Sequence, residues 1–281
     1  MTFIVTLIAL VIERFFDWSH LRKWQWYSNY QRAIIKRFPG KPPYFALAVT
    51  IVPLLLAVLI VQLSLKHVLF GMAEFLFQLF LFLYCLGPQN LWADTFACIN
   101  ALVKGDLPLA SEKMKASFGV TDNGTKEEMH SKLLNNIFIA ANRRIFAIVF
   151  WFLILGPVGA VLYRTITLSS ADFPKQETAP ELLPVARSVE SVLDWIPVRI
   201  LTFVFALGGH FVQVFSCIRK KPMMNLEMND VLLTECGTAA LGSGDIVQKA
   251  EDGSVERNAI GLLDRSFVIA LVIVAIIVML N

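Results

Sequence analysis

Two groups of polar residues sit beside long apolar stretches, and their types and spacing could support chemistry. The first is Asn135, Asn136, Asn142, Arg143 and Arg144. Guanidinium groups at the mouth of an apolar helix either snorkel to lipid phosphates or grip an anionic ligand bidentately. The second is Arg187, Glu190, Asp194, Trp195, Pro197 and Arg199. On a helix, Arg187 and Glu190 are i,i+3 and Glu190 and Asp194 are i,i+4, so the two acids share a face. Arg187 or Arg199 could neutralise them. That gives either an ion-pair corner that orients two helices or a ligand site. Asp194 followed by Trp-Ile-Pro reads as a helix stop, with Arg199 opening the next helix.

Other chemistries are poorly represented. Cys85, Cys98, Cys217 and Cys236 form no CxxC pair and match neither a disulfide framework nor a zinc site, so scattered, reduced thiols are expected. The four histidines are equally dispersed, and no HExxH spacing exists. No Ser/His/Asp set has ordered spacing. Gly242-Ser243-Gly244-Asp245 superficially resembles a phosphate loop but lacks the Gly-Lys-Ser/Thr ending. A net charge of +3 is too small to imply nucleic-acid binding.

The elements that must hold these groups are membrane helices. The chain of 281 residues is 56% hydrophobic and only 17% charged, against about 45–50% and about 25% in soluble domains. The charge is missing from a few long windows. Four windows read as crossings: 44–63 with Pro53 at its middle, 68–87 with Glu74 near its start, 145–163, and about 262–280. Each approaches the ~20 residues that a ~30 Å hydrocarbon core requires. Glu74 either reaches the interface or faces the bundle interior. Two further candidates, 2–16 and 196–218, would raise the count to six. The segment 2–16 has no basic residues before it and no small-x-small cleavage site after it, so a retained helix is expected.

The stretch 18–43 holds six basic residues and no acid, together with Trp18, Trp24, Trp26, Tyr27 and Tyr30. The positive-inside rule puts it in the cytoplasm, either as a helix lying on anionic headgroups or as a solvated loop. The 88–144 segment then returns to the cytoplasm as a helical insert. Within it, Asp106 caps a helix running to Phe118-Gly119, and a second helix starts after Thr125 with Glu127 and Glu128 in its first turn. That helix may be continuous with the third crossing. An excess of two acids makes 164–196 an external loop. Arg219, Lys220 and Lys221 mark a cytoplasmic start for the following loop, and 222–258 reads as polar loop with a short helix near Met228 to Leu233. The domain reading is therefore a membrane-embedded region 1–221, a polar loop 222–258 and a C-terminal transmembrane helix 259–281.

Ser191-Val-Leu-Asp-Trp-Ile-Pro-Val-Arg-Ile200 resembles a signature of the AmpE and CobD/CbiB membrane family. So do Leu10-Val-Ile-Glu13-Arg14, Gly105-Asp-Leu107, Phe150-Trp151 with Gly156-Pro-Val-Gly-Ala160, and Tyr163-Arg164. They occur in the family's order up to about residue 215, and the length and the Asp-Trp-Ile-Pro-Val-Arg form resemble the AmpE branch. The CobD/CbiB branch implies joining an aminopropanol unit to a corrin acid with ATP and magnesium. Its acid-rich pattern before Phe-Trp falls here on Asn135, Ile139 and Arg143. Its Asn-Thr-Leu-Asp falls on Thr165-Ile-Thr-Leu-Ser-Ser170, and its Asp-Asp pair on Glu190-Ser191. Magnesium and ATP need carboxylates, so the replacements suit an anionic ligand better.

The resemblance implies an inner-membrane signalling or sensor protein of bacteria that modulates β-lactamase induction, linked to peptidoglycan recycling and the amidase AmpD. The expected fold is an all-α polytopic membrane protein with four to six transmembrane helices plus cytoplasmic and interfacial helices. Glu190, Asp194, Trp195, Arg199, Arg187, Asn142, Arg143 and Arg144 are the candidate ligand cluster, and Glu13 and Arg14 an N-terminal signature. No catalytic residue, metal or cofactor is expected. The expected partners are the lipid bilayer and either a protein or an anionic cell-wall-derived ligand, not nucleic acid; homo-oligomerisation is open. The alternative is an ATP- and magnesium-dependent amide-forming enzyme acting on a different acid. A transporter is disfavoured by the lack of inverted repeats.

Overall fold

The computed structural model describes residues 2–15, 24–38, 40–66, 71–86, 91–120, 124–171, 182–221, 225–242 and 252–280, with side chains from 2 to 12 in the first helix. Described secondary structure is all helical: α1 (Thr2–Phe15), α2 (Gln25–Arg37), α3 (Pro43–Leu65), α4 (Met72–Cys85), α5 (Leu91–Val103), α6 (Leu107–Phe118), α7 (Lys126–Ala141), α8 (Ala147–Leu155), α9 (Pro157–Ser170), α10 (Leu182–Gly208), α11 (Phe211–Lys220), α12 (Asn229–Leu241) and α13 (Ser254–Leu280). A π-helical turn, Asn142–Phe146, joins α7 to α8.

Local sequence explains several helix starts. Pro43 opens α3, where a missing N–H costs nothing. Asp106 accepts from the Leu109 N–H at 3.1 Å, with Pro108 in the first turn of α6 and left-handed Gly119 at its end. Thr125 and Glu128 close a capping box on α7. Asp252 accepts from the Ser254 N–H at the head of α13, and hydrogen bonds from the Ser254 side chain and then its backbone hold the Asp252 carboxyl below the usual carboxylate value.

Among the described residues, four helices are long and apolar enough to cross a membrane: Pro43–Leu65, Lys126–Leu155, Leu182–Gly208 and Ser254–Leu280. The number matches the expected minimum, but two members differ. The window 145–163 is not one crossing. Its first part ends a 30-residue helix that begins at Lys126. Gly156 then takes φ 64° and ψ −150°, which only glycine adopts easily, and Pro157 starts α9. The chain folds back so closely that a Cβ on Gly159 would strike the Trp151 carbonyl oxygen.

The window 196–218 is not one helix either, because the chain breaks at Gly209 and His210. The crossing-length helix lies upstream, at Leu182–Gly208, and runs straight through Pro197. The expected stop at Asp194-Trp-Ile-Pro is therefore absent. The expected external loop 164–196 is largely helix, from the end of α9 and the start of α10. Described α4 has 14 residues, about 21 Å at 1.5 Å per residue, and falls short of a full crossing. The polar stretch 222–258 contains α12, longer than the short helix expected there, and the last helix begins at Ser254 rather than 259.

The chain forms two compact bodies. One comprises Met1–Pro88 and Ala147–Leu193, the other Gln89–Phe146 and Asp194–Asn281. In the first, α9 packs on α8, α3 and α4, and α1 packs on α4 and α8. Its apolar core joins Leu47 and Ile51 of α3, Ile166 of α9, and Leu182, Val185 and Ala186 of α10. Helix α2, inside the expected interfacial stretch, is fixed by polar contacts: Tyr27 Oη and Ser169 Oγ are 2.8 Å apart, and Gln31 Nε2 donates to the same hydroxyl. Burial raises the Tyr27 phenol above its ordinary value, and the Ser169 bond only partly offsets this. Trp26 donates to Tyr84 Oη at 2.7 Å, while Trp24 lies over the Tyr84 ring.

In the second body, α7 packs on α5, α6, α12 and α13. Gly237 of α12 lets the Phe138 ring lie flat against the helix backbone. Trp92 of α5 donates to Asp264 of α13 at 2.9 Å, which explains how Asp264 is held within an apolar helix. Cys217 of α11 and Cys236 of α12 form a disulfide. This corrects the expectation of four scattered thiols: their separation of 19 residues spans a helix hairpin, a relation that spacing alone does not display. Cys85 and Cys98 are buried free thiols.

Candidate functional site

The candidate residues fall into both bodies. Arg187 and Glu190 belong to the first, on the N-terminal half of α10. Arg187 is exposed, whereas Glu190 is buried. Arg164 of α9 is buried in the same body. Glu13 and Arg14 lie on the last turn of α1, and their side chains are outside the described part. Gly242 ends α12, and the rest of the phosphate-loop lookalike, 243–251, is likewise outside it.

The second body holds the rest, and two of them, Arg143 and Arg199, meet the N-terminus of α12. Asn142, first residue of the π turn, donates through Nδ2 to Asp194 Oδ1 at 2.9 Å. Both are buried, at 2% and 3% exposure. A carboxylate buried this deeply needs such donors, because an unsatisfied charge is costly. Arg143 donates to Asp230 Oδ2 at 3.2 Å in a half-exposed pair. Arg199 donates to the Asn229 side chain, to the Asn225 carbonyl at 3.2 Å and to the Trp195 carbonyl at 2.9 Å. Its guanidinium lies 4.7 Å from the centre of the Trp195 ring, four residues back on the same helix. Consecutive residues Asn229 and Asp230 thus receive Arg199 from α10 and Arg143 from the π turn.

The π turn explains how three neighbouring residues serve three partners. A π turn widens the helix by one residue and shifts successive side chains off the regular α spacing. Asn142 reaches α10, Arg143 reaches α12, and Arg144 reaches α5 and α6. Arg144 donates to Asp94 at 3.4 Å and to the Ser117 carbonyl, and it lies 5.4 Å from the Phe118 ring. It is therefore turned toward protein groups and not toward lipid phosphates. Asn135 and Asn136 are half-buried, and Asn136 donates to the Lys132 carbonyl of its own helix.

Pro197 has no N–H, so it leaves the Leu193 carbonyl without the usual helical donor. Trp151 supplies one from its indole Nε1 at 3.2 Å. This is why α10 passes through the proline.

Several functional candidates escaped the sequence. Asn225, Asn229 and Asp230 form a polar run before the apolar Val231-Leu-Leu, a helix-start signal that could have drawn attention to them. His130 of α7 and Glu256 of α13 form a buried pair with Nδ1 and Oε1 2.6 Å apart, at 2% and 1% exposure. His130 Nε2 and Glu256 Oε2 are buried without a hydrogen-bond partner. No motif links residues so distant in sequence.

Comparison with known proteins supplies the family. The chain is 27% identical over 219 residues to Protein AmpE of Shigella flexneri, covering 75% of each. It is 28% identical over 163 residues to Cobalamin biosynthesis protein CobD of Chromobacterium violaceum, covering 56% of this chain and 51% of the relative. A second CobD, from Stutzerimonas stutzeri, is 24% identical over 171 residues, covering 59% and 55%. The chain thus spans about half the length of these CobD relatives. No solved structure matches it. The family profile described as "Regulatory signalling modulator protein AmpE" matches residues 1–280. With an all-helical fold, four crossing-length helices and a profile match along its whole length, the chain belongs to the AmpE family.

Proposed function

We propose that this protein is a signalling or sensor component of the bacterial inner membrane that modulates β-lactamase induction in connection with peptidoglycan recycling. It acts without making an amide bond. The observation that carries this reading is the AmpE profile match over residues 1–280. The node around α12 supports it. Asp194 accepts from an amide through Oδ1 and Asp230 from a guanidinium through Oδ2, a pairing that supports a structural use of these acids. A magnesium–nucleotide complex needs carboxylate oxygens open to the ion, and acids engaged with an amide and a guanidinium favour the reading without one. The half-exposed Arg143 favours an anionic, cell-wall-derived ligand or an acidic protein partner at the rim of the node. The test is deletion in a bacterium with an inducible β-lactamase, complemented with the wild type and with Arg143→Gln. Altered induction in the deletion strain, restored by the wild type and not by the variant at equal membrane level, is expected. Unchanged induction in the deletion strain refutes the reading.

The two CobD relatives favour one alternative, an ATP-dependent amide ligase acting on another acid. Glu190 and Asp194 would be its carboxylates. Nucleotide binding abolished by Glu190→Gln would establish it, and absence of binding at millimolar nucleotide would remove it.

A further inference from the structure

We propose that α11 is an in-plane interfacial helix whose outer face docks on the anionic headgroups of the bilayer. The proposal rests on the membrane reading of the chain. Helix α11 has ten residues, Phe211–Lys220. Its inner face is Val214 and Ile218, at 0% and 5% exposure. The helix packs on α12 and is bonded to it through Cys217 and Cys236. At 3.6 residues per turn, positions 211, 215 and 219 form one row, and 212, 216 and 220 form the next. The outer surface is therefore Phe211, Val212, Phe215, Ser216, Arg219 and Lys220.

The exposures on this face are large. Phe211 is 53% exposed, Val212 79% and Phe215 43%. The two phenylalanine rings stack 5.9 Å apart on the open side. A helix facing water would carry polar groups there. An aromatic and aliphatic row flanked by cations is what a helix at the headgroup boundary carries. Lys221 is turned back to Glu235, at 2.7 Å, while Arg219 and Lys220 are exposed on the outer arc.

Continuity with crossing-length helices of the same body names the occupant. The last turns of α10 expose Phe203 and Leu207, at 48% and 58%, and α13 exposes Val268 and Val272, at 62% and 52%. Lipid is the solvent of such surfaces, and α11 follows α10 after only Gly209 and His210. That corner is fixed. The His210 N–H donates to the Ala240 carbonyl at 3.0 Å, and a Cβ on Gly209 would lie 2.5 Å from that same oxygen.

The test uses the full chain carrying Val212→Cys, labelled with a fluorophore and reconstituted in phosphatidylcholine vesicles with and without phosphatidylglycerol. The new thiol is the reactive one, since Cys85 and Cys98 are buried and the other two are bonded. A nitroxide on the lipid should quench the label, and aqueous iodide should not. Nitroxide-phosphatidylglycerol should quench more than nitroxide-phosphatidylcholine. Arg219→Gln with Lys220→Gln should reduce that preference by about five-fold per charge. Ser216→Cys repeats the measurement on the same face if Val212→Cys does not fold. Quenching by iodide alone, shielding from both quenchers as a protein partner would produce, or a lipid preference unchanged in the double variant would each overturn the proposal.

Discussion

Trp151→Phe removes the donor that satisfies Leu193 where Pro197 interrupts the ladder of α10. The phenyl ring keeps the edge contact to Phe150, now 5.3 Å between ring centres, so the change isolates the indole N–H. The bond is 3.2 Å long and part-buried. Hydrogen bonds between membrane helices average about 0.6 kcal/mol and reach about 1.7. Leaving a buried carbonyl unsatisfied costs on the order of 1–3 kcal/mol. A loss of about 1–2 kcal/mol is therefore expected in the wild-type background. In a Pro197→Ala background, the backbone N–H at position 197 can donate to Leu193 in the ordinary i→i−4 manner. There the cost of Trp151→Phe should shrink to roughly its packing contribution, giving a coupling of about 0.5–1.5 kcal/mol. Reversible unfolding in mixed detergent micelles, followed by circular dichroism, measures all four corners of this cycle. Equal penalties in the two backgrounds would show that Trp151 does not serve the carbonyl freed by the proline.

Four further outcomes follow from the geometry. Gly237→Ala places a Cβ 2.9 Å from three Phe138 ring atoms and should cost about 1–3 kcal/mol by overpacking; Phe138→Leu should recover part of the lost thermal stability. Titration of the denatured, unreduced protein should find two of the four cysteines reactive and all four after reduction; Cys217→Ser with Cys236→Ser should lower stability by about 3 kcal/mol, as for a loop of this length. Because burial raises the Tyr27 phenol in the folded state, its contribution is fully present below the unfolded value of ~10 and is lost as pH rises beyond it; alkaline unfolding curves should show this loss, and Tyr27→Phe should flatten it. Glu256→Ala should destabilise by about 1–3 kcal/mol, since it leaves His130 Nδ1 buried without this partner, whereas His130→Leu with Glu256→Leu, which removes both polar groups, should be near neutral; a double variant as damaged as the single one would contradict this account.

The features legible in the sequence are those written in short range. The Asp106 and Thr125 caps and the apolar run 44–63 depend on neighbouring residues and lie where the sequence indicates, and the final helix does so apart from an earlier start at Ser254. The reversal at Gly156 was harder to see. Gly-Pro inside an apolar window is compatible with a kink or with a full turn, and the choice depends on Gly159 allowing α9 to lie against Trp151. Pro197 misled in the other direction, because the donor that keeps α10 continuous comes from a residue 42 positions away from Leu193. The candidate residues Asn142, Asp194 and Arg199 were visible as unusual polar types beside apolar helices. Asn229, which Arg199 meets, and Asp230, which Arg143 meets, are not, because that stretch reads as polar loop until packing on α7 stabilises α12.

The stretch from Asp194 to Arg199 carries a resemblance to the family signature, and the structure gives Asp194, Trp195, Pro197 and Arg199 each a structural task. Asp194 accepts from the π turn, Trp195 lies beside the Arg199 guanidinium, Pro197 hands the Leu193 carbonyl to Trp151, and Arg199 ties α10 to the start of α12. A stretch occupied in this way specifies how a long helix passes a proline and what docks on it. It does not by itself specify a reaction. Resemblance through this stretch is therefore resemblance in helix geometry, and function has to be argued from residues that are not consumed in holding the fold. In this chain those residues lie at the half-exposed rim, where Arg143 meets Asp230 in a pair whose surface position makes it worth only about 0–1 kcal/mol. An anionic ligand or an acidic partner surface could exchange for Asp230 there at little cost to the fold, whereas exchange at Asp194 would strip a buried carboxylate of its donor.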